Sequence, residues 1–152
     1  MTTTETTRRV NLNRVSPELY QAMMVLSNAA SKGIDPDLAE LIKIRASQMN
    51  HCAFCLDMHT DDARKRGISE QKLALLPAWE EAGGIFTEQE QAALALTEEV
   101  TDLTRLHVSD EVYERAGAAF SERELGQIIA MALTINAWNR IGVTTGLPLP
   151  RR

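Results

Sequence analysis

Helix-start signals recur along the whole of this chain, and each precedes a run whose apolar residues are spaced by three and four. Ser16-Pro17-Glu18 sets a cap ahead of a proline at the first helical position. Tyr20, Met23, Met24 and Val25 then supply an apolar face, and Gly33 a stop. Asp35-Pro36 repeats the device and predicts a helix to about Met49. The next helix starts near Cys52 and stops at Gly67. Ser69 caps another, which Pro77 breaks, and Gly83-Gly84 forms a turn. Thr87 with Glu90 is a capping box opening a helix through about Leu103, and Ser109 starts a short one. Ser121 with Glu124 is a second box, ahead of the most apolar helix, Leu125 to about Ile141. The following Gly146-Leu147-Pro148-Leu149-Pro150 cannot continue a helix. Alternation with period two is absent, so the predicted fold class is all-α.

At 152 residues the chain has the length of one domain and buries a core without disulfide staples. The polar start predicts a flexible segment over residues 1–12, followed by one helical domain over 13–152. A helix as apolar all round as Leu125–Ile141 is covered on several sides, which predicts a central core helix that also contributes to a homo-oligomer interface. Net charge is −5, which argues against nucleic acid as a partner, since phosphate binding needs a basic face. No apolar run approaches the ~20 residues that span a bilayer, so no membrane partner is expected. The Thr-rich first residues lack the apolar core of a secretory signal, and the expected location is the cytoplasm, which is reducing.

The chain has 2 cysteines, three positions apart. A structural disulfide closing so short a loop constrains the unfolded chain little, so in a reducing compartment the pair reads as catalytic or metal-binding. Residues four apart share a helical face, which makes Cys55 and His59 neighbours. Cys52, in the first turn of that helix, meets unpaired N–H groups and a positive partial charge that stabilise a thiolate, the reactive form. Glu40 in one continuous helix would lie about 18 Å from Cys52, too far to cooperate. A reversal at Asn50-His51 instead gives an antiparallel hairpin in which Glu40 faces His59 and His59 reaches back to Cys55. The order carboxylate, imidazole, thiol is the orienter, base and nucleophile arrangement of thiol chemistry. Ser47 would fall near Cys55 on the facing helix as an auxiliary hydrogen-bond donor, and His51 is a second auxiliary candidate at the turn.

Plainer readings exist for each group. The cysteines with His59 and one of His51, Asp57 or Glu40 would make a zinc tetrahedron, although a single Cys-x-x-Cys pair is a weak zinc signal. Plain buried thiols are a further and lesser reading. His59 reads otherwise as a structural histidine and Glu40 as a solvated helix charge. Met23, Met24 and Met49 read as core packing, His107 as a residue before a cap, and Asp61 to Arg66 as a solvated helix end. Trp138 and Arg140 read as packing or interface residues. Redox chemistry at the cysteines outweighs these, with no metal and no cofactor called for.

The pattern Glu40-x11-Cys52-x-x-Cys55-x-x-x-His59, embedded in Lys43-x-Arg45-Ala46-Ser47-Gln48-x-Asn50, resembles the core of the alkylhydroperoxidase D (AhpD-like) group of the carboxymuconolactone decarboxylase superfamily. The likeness continues through Phe86 to Glu98, His107 to Glu111, Phe120 to Leu125 and Ile135 to Ile141. It implies an all-helical bundle assembling as trimers or hexamers. It also implies peroxidase and disulfide-exchange activity, with a hydroperoxide substrate and an external dithiol reductant of lipoyl or thioredoxin-like type. Carried over by position, Cys55 attacks the peroxide, Cys52 resolves, and Glu40 and His59 relay protons. The helix N-terminus favours Cys52 as the low-pKa thiol, and the histidine favours Cys55; delivery of a proton to the leaving oxygen decides for Cys55. Phe54 stands where the founding members carry a second histidine. The runner-up function is a decarboxylase-type enzyme acting on a cyclic carboxylate through His59 and Glu40. The third is a non-enzymatic redox or zinc module.

Overall fold

The structure, a computed structural model, describes residues 9–152 apart from Leu106. The described residues form eight α-helices and no strand: α1 Leu12–Val15, α2 Pro17–Ala30, α3 Pro36–Met49, α4 Ala53–Lys65, α5 Glu70–Leu75, α6 Glu88–Thr101, α7 Asp110–Ala119 and α8 Glu122–Thr145. Short 3-10 turns at Leu76–Glu81, Gly83–Ile85 and Leu103–Arg105 connect them. The caps act where the sequence places them. Asp35 and Ser69 each accept from the backbone three residues on, and Thr87–Glu90 and Ser121–Glu124 form reciprocal capping boxes.

Helix α8 is the central strut, packed on α2, α3, α6, α4 and α7. Its first half joins α3, α6 and α7 in the main core, where Ala39, Ala93, Ala116 and Ala132 let the backbones approach closely. A second core gathers α3, α4, α6 and the 3-10 segment around Leu41, Leu76, Trp79, Phe86 and Leu94. The expected central role of α8 is therefore what the packing has.

Several expectations change in detail. Helix α8 does not stop at Ile141. It runs another turn to Thr145 and ends on Gly146, whose φ of 63° suits a residue without Cβ. Arg9 donates to the carbonyls of Val143 and Thr144, satisfying groups that the helix end leaves open. Met24 and Val25 are not core residues, at 54% and 69% exposed; Met23 and Ala30 are the buried residues of α2, and Met24 borders a cavity between α2 and α8. Met49 is only half-buried. Residues 1–8 of the segment expected to be flexible lie outside the described residues. No helix among those described is long and apolar enough to cross a membrane.

The site depends on the α3–α4 hairpin. Asn50 caps α3, and His51 takes a φ of 54°, the left-handed conformation that reverses a chain cheaply where histidine or asparagine stands. Cys52 N–H then bonds back to the Ser47 carbonyl at 3.1 Å, and α4 departs antiparallel to α3. Asn50 Nδ2 donates to Asn136 Oδ1 at 2.9 Å and to Asn139 Oδ1 at 3.0 Å, which ties the turn to α8.

Candidate active site at a cysteine pair

Cys52 is the N-cap of α4 rather than a first-turn residue, and its Sγ accepts the Cys55 N–H at 3.3 Å. Cys52 and Cys55 form a disulfide. Both residues are buried, at 1% and 3% exposed, among Ala46 and Ile135 with Phe54 and Trp138 at the margin. Their surroundings differ. Cys55 borders a cavity of about 440 Å³, walled by Phe54, Met58, Met131, Trp138 and other mainly apolar side chains. Cys52 lies behind it, against α8 at Gly142.

The hairpin brings Glu40 to His59, with Oε2 and Nδ1 3.2 Å apart and both residues buried. The other oxygen of Glu40 accepts from Lys43 Nζ at 2.6 Å, one turn along α3. Burial pushes the Glu40 carboxyl up. Hydrogen bonds from His59 and Lys43, with the Lys43 charge, outweigh that and hold it below its ordinary value of 4.5. An ionised Glu40 fixes a proton on Nδ1 and leaves Nε2 as the basic nitrogen. His59, Lys43 and Cys55 line the same cavity, and Cys55 precedes His59 by one turn of α4. The expected carboxylate, imidazole and sulfur thus share one site.

Ser47 does not serve Cys55. Its hydroxyl donates to the Lys43 carbonyl at 2.7 Å and accepts from Asn139 Nδ2 at 2.9 Å, so it joins α3 to α8. His51 is exposed at the turn, away from the buried group. The set once open to zinc is not gathered, since the sulfurs are bonded to each other. Among the described residues the possible ligands that converge are Glu40, His59 and Asp62, within 4.8 Å, and Lys43 already occupies Glu40. Trp138 reaches beyond packing: its Nε1 donates to Ser27 Oγ at 2.9 Å and its ring walls the cavity, edge-on to Tyr20. Sequence reasoning missed Lys43, Asn139 and Gly142. Lys43 was readable as the cation three residues after Glu40, whereas Gly142 stands past the expected helix end at about Ile141 and carries no such signal.

An all-helical bundle in which one cysteine of a Cys-x-x-Cys disulfide shares a cavity with a glutamate-bonded histidine is the AhpD-like class of protein. The chain belongs to the carboxymuconolactone decarboxylase family, whose model matches residues 17–99. It is 40% identical over 140 residues to the uncharacterised protein YdfG of Bacillus subtilis (strain 168), covering 91% of this chain and 95% of that one. It is also similar to a protein of unknown function from Agrobacterium tumefaciens, provisionally assigned to antioxidant defence as AhpD. Their TM-score is 0.90 at 38% identity, over 95% of this chain and 99% of the other. The fold extends to the debrominase Bmp8, with a TM-score of 0.79 at 19% identity over 90% of this chain and 74% of that one.

Proposed function

We propose that the protein is a thiol-dependent peroxidase of the AhpD-like type, working also as a disulfide reductase, in antioxidant defence. The observation that carries this reading is the placement of Cys55, His59 and Lys43 around one apolar cavity, with Glu40 bonded to both His59 and Lys43. In the reduced protein His59 Nε2 takes the Cys55 proton. The thiolate attacks the outer peroxide oxygen, the O–O bond breaks, and the imidazolium returns the proton to the departing alkoxide. Cys55 is then a sulfenic acid. The Cys52 thiol attacks its sulfur, water leaves, and the disulfide forms. An external dithiol reduces the pair by exchange and leaves as its own disulfide. Peroxide and dithiol both approach Cys55 through the cavity, so each competes with the other at high concentration and the kinetics are ping-pong.

A lipoyl-type or thioredoxin-like dithiol, a cytoplasmic setting and a trimeric or hexameric assembly complete the proposal. The exposed apolar side chains of Leu19, Met24 and Val25 on α2 support the assembly. Thiol titration tests the reaction directly. The reduced protein loses two thiols per chain on adding peroxide, with no cross-link between chains. Serine at Cys55 stops turnover, whereas a decarboxylase-type activity resting on His59 and Glu40 would survive that change. Retention of both thiols after peroxide treatment would overturn the proposal.

A further inference from the structure

Helix α8 carries two glycines, Gly126 just past its first turn and Gly142 in its last. Glycine in a helix interior is unfavourable relative to alanine, so its use there calls for a reason. Around Gly126 a Cβ would meet nothing within 4 Å. At Gly142 it would stand 2.9 Å from Cys52 Sγ and 3.6 Å from Cys55 Sγ, with Leu147 Cδ1 at 3.8 Å. The missing side chain of Gly142 is therefore the space that the sulfur of Cys52 fills.

Neither neighbour can retreat cheaply. Cys52 is 1% exposed and is backed by Ala46 and Ile135. Helix α8 is pinned at the same level, because Asn139 receives Asn50 Nδ2 and donates to Ser47 Oγ, and Asn136 receives Asn50 as well. In the oxidised protein the Cys52 sulfur is further tethered to Cys55 and has no other rotamer to take. In the reduced protein the tether is gone, and the side chain turns away more easily.

We infer that Gly142 is a positioning residue that sets the redox balance of the Cys52–Cys55 pair, by leaving room in the wall of α8 for the bonded sulfurs and not only for the separate thiols. A Cβ at this position burdens the disulfide more than the dithiol. The claim concerns the equilibrium of the pair itself, so it holds whether or not a peroxide is the oxidant.

The test is Gly142→Ala, with Gly126→Ala as its counterpart in the same helix. Each is equilibrated with glutathione buffers, and the melting temperature is taken in both redox forms. Gly126→Ala raises the melting temperature of both forms and leaves the glutathione equilibrium unchanged. Gly142→Ala lowers that of the oxidised form while holding or raising that of the reduced form. It moves the equilibrium about tenfold toward the dithiol, which is about 30 mV for this two-electron couple. Removing the sulfur reverses the sign: in a Cys52→Ala background, Gly142→Ala stabilises. That second pair keeps the inference open to refutation even if the single variant does not fold. Equal effects on both redox forms, an unmoved glutathione equilibrium, or no rescue by Cys52→Ala would overturn it.

Discussion

On one side of the disulfide, Cys55 borders a cavity of about 440 Å³ together with an imidazole, and an ammonium-held carboxylate stands behind the ring. On the other side, Cys52 meets the bare backbone of α8 at Gly142, with buried asparagines fastening that helix to the α3–α4 turn. The first side is roomy and carries the carboxylate, the imidazole and the ammonium of the site. The second is close-packed, and its charge is Arg140, which donates to Asn136 at 3.0 Å. A thiol pair that exchanges bonds needs access at one sulfur only, and the other gains from a rigid wall that holds it within reach.

The sharpest way to break the comparison is to exchange the roles of the sulfurs. Cys55→Ser removes the group that faces the cavity, and peroxide turnover falls to background, a loss on the order of 10⁴-fold or more. Cys52→Ser leaves the cavity side intact. It still reacts once, and a sulfenic acid trapped by dimedone appears in the mass spectrum at one per chain. A sulfenic acid on Cys52 in the Cys55→Ser protein would mean that the closed side is the reactive one.

The polar half of the cavity side comes next. Glu40→Gln keeps the shape but loses the charge that orients His59, and kcat/KM drops on the order of 10²-fold, the lower end for general acid–base catalysis. The carboxyl of Glu40 is held below its ordinary 4.5 in the folded chain. Its stabilising contribution is therefore complete above that value and is lost as pH falls through the lowered folded value. Lys43→Met removes one of the bonds that hold it down. With the folded value of Glu40 closer to the unfolded one, that variant melts lower than wild type at neutral pH, and its melting temperature, followed down to pH 3, falls less with acid. Coincident acid limbs would take Lys43 out of the site.

On the closed side the expected effect is on stability. Asn139 is fully buried, and Asn139→Ala removes its bonds with Asn50 and Ser47, while Asn50 keeps Asn136 and the Ser47 hydroxyl keeps the Lys43 carbonyl. A lost intramolecular hydrogen bond costs about 0.5–1.5 kcal/mol, so losing two should lower stability in urea denaturation by about 2 kcal/mol. The loss should be accompanied by easier reduction of the disulfide, because the wall at Gly142 loosens. A stability loss with an unchanged glutathione equilibrium would separate the wall from the sulfurs.

The two sides were unequally legible in the sequence, and the reason is range. Caps, breakers and four-residue spacings are local signals, and they sufficed for the hairpin, for Glu40 opposite His59 and for Cys55 on the same cavity as the histidine. The hairpin was readable because Asn50-His51 stands between two helical patterns and tolerates a left-handed residue. The closed side is made of contacts between residues some ninety positions apart, such as Asn50 with Asn139. Local patterning ends α8 before Gly142, since the β-branched Val143, Thr144 and Thr145 are indifferent helix formers. Tertiary bonds from Arg9 carry the helix on. The same limit misplaced Ser47, whose hydroxyl returns to its own helix, and the exposed Met24 and Val25 of α2.

The smallest expected effect tests where the cavity side ends. Beyond α8 the tail turns Leu147 into the cavity wall, and Arg152 Nη2 lies 3.3 Å from Asp57 Oδ2 and 3.8 Å from Asp61 Oδ2 on α4. These ion pairs are solvent-exposed and screened by salt, so Arg152→Ala should cost no more than about 0.5 kcal/mol in urea denaturation. If the chain after Leu147 only rests on the surface, KM for a bulky hydroperoxide is also unchanged, since Leu147 is held by its own N–H bond to the Gly142 carbonyl at 3.2 Å. A several-fold fall in KM with kcat constant would instead make the tail part of the cavity's wall, fastened by Arg152, and would extend the open side of the comparison to the end of the chain.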